Sequence, residues 1–184
     1  MKPVLQEGAP ILREIAKEVP EKLFGTPELA GVIKEMSDIL DGEEDGVALA
    51  APQIGIPYRI FIARLDRTRT TPELQGDEAA KKAEPELEVY INPEIFRTSR
   101  KRHEVDEGCL SVRGVYGKTL RHERVSIRAQ HEDGASFTRG GGDVLAQIFE
   151  HETDHLNGTL FIDHAERLVK VSKEEGVEEV AVNV

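Results

Sequence analysis

The chain has 184 residues, with 24 Lys and Arg against 35 Asp and Glu, for a formal net charge of −11. A chain of this length buries enough surface to hold one domain without a disulfide staple, and its single Cys could form none internally. The acidic balance argues against direct DNA binding through phosphate neutralisation. No run is apolar enough to cross a membrane, and Met1 to Pro10 carries no secretory or transit signal, so a cytoplasmic location is expected.

Residues 10–19 place Ile11, Leu12, Ile15, Ala16 and Val19 at helical spacing, ended by Pro20. A second helix is predicted from Thr26-Pro27, with Thr26 as N-cap, Pro27 in the first turn and a stripe of Leu29, Val32, Ile33, Met36, Ile39 and Leu40. Residues 46–55 read as a small-residue strand entering a tight turn, and 58–63 as a buried strand. Residues 66–88 are rich in acids and poor in large apolar side chains. They are expected to be a surface insertion loop, partly helical around Asp77 to Lys82. Short strands follow at 89–91 and 94–98, and a hairpin at 123–130 and 135–139 turns at Asp133-Gly134. Residues 106–111 read as a Gly-kinked stretch. From Asp143 to Asn157 the period becomes helical, with Gly158 as its C′ residue. A short strand at 160–162 and an acidic C-terminal helix with tail over 164–184 complete the reading. The expected fold is a single α+β domain over 1–184: short, mostly antiparallel strands around a central metal-binding helix, with N-terminal helices and a C-terminal helix.

The sharpest chemical signal is His151-Glu152-Thr153-Asp154-His155, an H-E-x-x-H sequence inside a predicted helix. His151 and His155 fall one turn apart on one face, where two imidazoles can hold one metal ion. Glu152 sits about 100° round the helix, placed to act as general acid and base on a water beside such an ion. A catalytic site needs a third protein ligand. Phe161 stands where metzincins carry their third His, which excludes that subclass. The lone Cys109, in Glu107-Gly108-Cys109-Leu110-Ser111, is either a small buried hydrophobe or that third ligand, held as thiolate. Acyl transfer also needs donors for a developing oxyanion; the Gln53 amide and the Leu110 N–H are candidates. Val47, Leu110 and Ile148 are candidate walls of an apolar slot. Glu107 and Arg121 could pair as a brace behind the site, a reading that fails if they stand beyond salt-bridge distance.

Three separated stretches in the same order resemble peptide deformylase: Gly46-Val47-Ala48-Leu49-Ala50-Ala51-Pro52-Gln53, Glu107-Gly108-Cys109-Leu110-Ser111, and Glu150 to Gly158. The resemblance implies that Cys109, His151 and His155 ligate one divalent metal ion per chain. Fe²⁺ is the implied ion, with Zn²⁺ or Ni²⁺ able to substitute. It implies Glu152 as general acid and base, Gln53 and the Leu110 N–H at the oxyanion, and Val47, Ala48, Gly108 and Ile148 around the substrate. The implied reaction is hydrolysis of the N-formyl group from the formyl-methionine of nascent polypeptides, near the ribosome, with release of formate. Ala48 replaces the family's second Gly, so a narrowed cleft or a shifted strand is expected there. A broader metallo-amidase, or a non-catalytic binder of metal or peptide, are the alternative readings.

Overall fold

Thr26 opens the first helix as the sequence predicts: its Oγ1 accepts from the Leu29 N–H at 3.3 Å, and Pro27 occupies the first turn. The resulting helix α1 (Pro27–Asp41) buries Leu29, Ile33, Met36, Ile39 and Leu40. This computed structural model describes residues 2–68, 86–172 and 176–180. After α1 come β1 (Ala48–Ala50), β2 (Ile60–Arg64), β3 (Leu87–Thr98), β4 (Arg102–Cys109), β5 (Val112–His122), β6 (Arg124–Gln130) and β7 (Ser136–Gly142). Helix α2 (Asp143–Leu156) and strands β8 (Arg167–Ser172) and β9 (Gly176–Val180) follow.

The strands form two antiparallel sheets, ordered β1-β2-β3-β6-β7 and β4-β5-β8-β9. The architecture is a mixed helix and sheet domain. Alternation along the first sheet supplies both of its faces. Leu49, Ile60, Ile62 and Ile91 pack against α1, and Phe61, Ala63, Tyr90 and Ile127 against Ala146, Phe149 and Leu156 of α2. A smaller cluster of Val112, Leu160, Phe161 and Ala165 lies beside the second sheet.

Several expected elements are corrected. Only Pro10–Arg13 coils within 10–19, as a 3₁₀ turn. The following backbone bonds elsewhere: Ala16 N–H to the Leu156 carbonyl at 2.9 Å, and Lys17 N–H to the Pro57 carbonyl at 2.8 Å. That pairing leaves Ile15 exposed, although a helix would have buried it. Over 46–55 only Ala48–Ala50 is strand; Ala51–Ile54 is a 3₁₀ turn closed by Gly55 at φ +83°. The two short strands around Asn92-Pro93 are one strand, β3, with register shifts between Ile91 and Glu94 and between Ile95 and Arg97. Asn92 takes φ +49° and bonds across to Val19, so the extra residue bends the strand without ending it. Residues 160–162 are not strand; Phe161–Asp163 is a 3₁₀ turn.

The C-terminal helix over 164–184 is also overturned. Arg167–Ser172 pairs with β5, and Gly176–Val180 pairs with it in turn. β-branched Val169, Val171, Val177 and Val180 suit a pleat better than a helix, and β5 offers an open edge. Of 66–88, Leu65–Arg67 is a 3₁₀ turn and Leu87 already begins β3. The helix expected around 77–82 lies outside the described residues. Helix α2 ends as expected, with Gly158 at φ +73° and its Cα against the Arg13 carbonyl.

A candidate metal and acyl-transfer site

Cys109 is the last residue of β4, where the register with β5 shifts at Gly108, and His151 and His155 project from one face of α2. The stretch read as merely Gly-kinked is therefore the end of a strand. Their donor atoms all lie within 4.8 Å of one another, and Cys109 Sγ stands 3.2 Å from His155 Nε2. Ligands held at 2.0–2.3 Å around a tetrahedral ion stand about 3.5 Å apart, so a thiolate and two imidazoles at these separations fit one ion with a position left open. Burial, with the neighbouring His151, pushes His155 well below its ordinary pKa, keeping a nitrogen lone pair available. Burial also opposes charge on His151, but the neighbouring Cys109 and Glu107 hold its pKa well above the ordinary value.

The brace behind the site is present. Arg121 donates to both oxygens of Glu107, at 2.7 and 3.1 Å, and to Asp154 at 2.8 Å. His151 Nδ1 stands 3.6 Å from Glu107 Oε2. Burial would raise the Glu107 pKa, but the nearby His151 and the hydrogen bonds from Arg121 outweigh it and hold the carboxyl down to about 2. The reverse holds for Glu152: burial pushes it up to about 7, with Glu107 and Asp154 adding and His151 opposing. Glu152 Oε2 is buried and has no hydrogen-bond partner among the described residues. An orphaned carboxyl oxygen beside a ligand set is poised to exchange a proton.

Gln53 is buried, and its amide is oriented unambiguously. Oε1 accepts from the Ala50 N–H at 2.7 Å, which turns Nε2 towards Ser111 Oγ at 3.1 Å and Cys109 Sγ at 3.6 Å. The N-terminal segment straps both stretches. Leu5 N–H donates to the Gln53 carbonyl and Glu7 N–H to the Ser111 carbonyl, both at 2.8 Å, and Gln6 Nε2 reaches the Leu110 carbonyl.

Above these groups opens a cleft of about 690 Å³. Val47, Ala48 and Gln53 line one wall, Gly108, Cys109 and Leu110 the second, and Ile148, His151 and Glu152 the third. His155 lies beneath, almost wholly buried. Every residue singled out from the sequence thus gathers at one place. Ala48 pairs with Ala63 and lines the cleft. Sequence reasoning missed Ser111, which holds Gln53, and the outer lining residues Arg113, Tyr116 and Val144. Position beside Cys109 could have flagged Ser111. No pattern flags Arg113 or Tyr116, because β5 itself was not legible; Val144 falls in the predicted helical period, which does not mark it as facing the cleft.

Three comparisons bear on this geometry. The family described as polypeptide deformylase matches residues 1–171. The chain is similar to the peptide deformylase of Carboxydothermus hydrogenoformans, 35% identical over 167 residues (91% of this chain and 95% of that protein). It is similar to that of Borreliella burgdorferi, 41% identical over 137 residues (74% and 73%). Among solved structures it resembles the actinonin-bound class I type b peptide deformylase from Acinetobacter baumannii, with TM-score 0.76 and 29% identity over 89% of this chain and 97% of that one. The Met-Ala-Ser-bound form of that enzyme superposes with TM-score 0.76 at 30% identity, covering 88% and 96%.

Proposed function

The chain belongs to the polypeptide deformylase family, and we propose how its residues divide the work of that reaction. It is a metal-dependent hydrolase that removes the N-formyl group from the formyl-methionine of polypeptides as formate. Cys109 at the end of β4 and His151 and His155 on a central metal-binding helix, α2, would hold the ion inside a single domain spanning 1–184. The observation that carries this reading is the convergence of those three donors from β4 and α2 beneath one cleft. A bound ion supplies Lewis-acid chemistry, drawing electron density from an oxygen and lowering the pKa of water.

The chain's own groups do the rest. Glu152, buried and raised to about 7, takes a proton from the attacking water at Oε2 and delivers it to the departing amide nitrogen. Gln53 Nε2 and the Leu110 N–H stabilise the oxyanion on the former formyl oxygen. Glu107, itself gripped by Arg121, orients His151 through Nδ1 and leaves Nε2 for the ion. Val47, Ala48, Gly108 and Ile148 surround the formyl-methionyl group. Fe²⁺ is the working ion, with Zn²⁺ or Ni²⁺ able to replace it, since a thiolate with two imidazoles accepts all three. The substrate is the nascent chain in the cytoplasm, close to the ribosome. Formate release by anaerobically prepared protein, with metal analysis of the same sample, tests this. Turnover of formyl-Met peptide with one equivalent of iron is expected. Equal turnover of acetyl-Met peptide would replace the specific reading with a general amidase.

A further inference from the structure

The N-terminal segment is already fastened by its backbone, through the Leu5 N–H to the Gln53 carbonyl and the Glu7 N–H to the Ser111 carbonyl, both at 2.8 Å. Gln6, between them, is exposed, yet its side chain adds two bonds: Nε2 donates to the Val4 carbonyl at 3.1 Å and to the Leu110 carbonyl at 3.0 Å. Both partners are acceptors, so the amide can meet them only with its nitrogen. The Leu110 carbonyl belongs to the peptide unit that joins Leu110 to Ser111. At the other end of that unit the Ser111 N–H donates to Cys109 Sγ at 3.4 Å. One peptide plane is thus held at its oxygen by Gln6 and at its nitrogen by a candidate metal ligand. Ser111 is pinned twice more, at Oγ by Gln53 and at its carbonyl by Glu7.

Two properties of the site pass through this plane. A carbonyl that accepts a hydrogen bond polarises its own peptide, which makes the N–H at the other end a stronger donor. That N–H draws electron density from the thiolate, and hydrogen bonds to a ligating sulfur tune what its metal can do. The plane also fixes the backbone on one side of the Leu110 Cα, while the Leu110 N–H stands on the other. Slack in the plane becomes slack in the direction of that N–H. Resting on the deformylase reading above, we propose that Gln6 is a positioning residue. It acts through the Leu110–Ser111 peptide, keeping the Leu110 N–H aimed at the oxyanion and tempering the Cys109 thiolate, and it touches neither substrate nor ion.

The test pairs two variants. Gln6→Met keeps the length of the side chain and removes the donor, and Gln6→Lys restores a donor that reaches the same carbonyl. In the iron-loaded enzyme Gln6→Met is expected to lower kcat on formyl-Met-Ala-Ser by about five- to tenfold with KM unchanged, less than outright loss of an oxyanion donor costs. Gln6→Lys is expected to recover most of that loss. In the cobalt-loaded protein the sulfur-to-cobalt charge-transfer band of Gln6→Met is expected to move to lower energy, because a thiolate with a weaker hydrogen bond gives up an electron more easily, and to return in Gln6→Lys. The Tm of both variants is expected to stay within about 2 °C of the wild type, as for an exposed position. An unmoved band or an unchanged kcat in Gln6→Met would overturn the proposal, as would a loss that tracks a falling Tm or that Gln6→Lys leaves uncorrected. Wild-type enzyme that releases no formate would instead overturn the deformylase reading, while the cobalt band would still report on Gln6.

Discussion

Arg121 sits between two carboxylates, and the three groups differ in how far they are buried. Glu107 is 2% exposed and Arg121 5%, whereas Asp154 reaches the surface more freely. A buried ion pair adds little over an apolar replacement, but removing one partner strands the other charge. Arg121→Met is therefore expected to destabilise the protein by about 3–5 kcal/mol. Asp154→Asn is expected to cost roughly 1 kcal/mol or less, because Arg121 keeps its bidentate partner. Urea unfolding of both variants checks the ordering, and a smaller loss in Arg121→Met would mean that Glu107 is relieved by water. Glu152 presents the opposite case. Its Oε2 is buried without a partner, so it contributes no stability there. Glu152→Gln is expected to match or exceed the wild type in Tm and to retain metal, while formate release falls about 10²–10⁴-fold. Normal turnover by that variant would remove Glu152 from the proton pathway.

At the level of elements, legibility followed whether the inward side chains were apolar. Helices α1 and α2 read plainly because Leu29, Ile33, Met36, Phe149 and Leu156 keep the helical period and end in recognisable caps. Strands β4 and β5 did not, because their inward positions hold Glu107, Thr119 and Arg121, which give no apolar alternation. The site itself was readable for the same reason that these strands were not. Glu107, Cys109 and Arg121 are chemically conspicuous in sequence but structurally ambiguous. Residues 10–19 misled in the other direction. Their apolar spacing is helical, yet tertiary bonds from Ala16 and Lys17 to Leu156 and Pro57 outweigh an isolated two-turn helix. The cap of α2 gives a direct check. Gly158 holds φ +73°, and an added Cβ would lie 2.7 Å from the Arg13 carbonyl oxygen. Gly158→Ala is expected to cost about 2 kcal/mol or more, through both the left-handed backbone and displacement of the N-terminal turn. Thr26→Ala, which removes the α1 cap and the Oγ1 donation to the Leu23 carbonyl, is expected to cost about 1 kcal/mol. Thermal melts of the pair compare a clash with lost hydrogen bonds.

Across the whole molecule, the two sheets are held very differently. The five-stranded sheet is packed on both faces, by α1 and by α2, through large apolar clusters. The four-stranded sheet meets α2 mainly through polar links. Gln147 donates to the Asp106 carbonyl at 2.9 Å, Arg121 to Asp154 at 2.8 Å, and Glu150 accepts from the His122 N–H at 2.8 Å. The candidate ion joins the same two bodies, since Cys109 ends β4 while both His lie on α2. Metal binding should therefore act as a clamp between α2 and the four-stranded sheet as well as a catalytic centre. An ion at about 100 times its dissociation constant adds roughly 2.7 kcal/mol to the stability of the form that binds it. In a chain of this length that corresponds to about 5–10 °C in Tm. Chelation is expected to lower Tm by that amount and to speed amide exchange in β4 and β5 well before it does so in β2 and β3. Cys109→Ala is expected to melt at the chelated enzyme's temperature and to ignore added metal. Uniform acceleration across both sheets would mean that the ion stabilises the domain as one cooperative unit, and an unchanged Tm would mean that the polar links alone hold the second sheet in place.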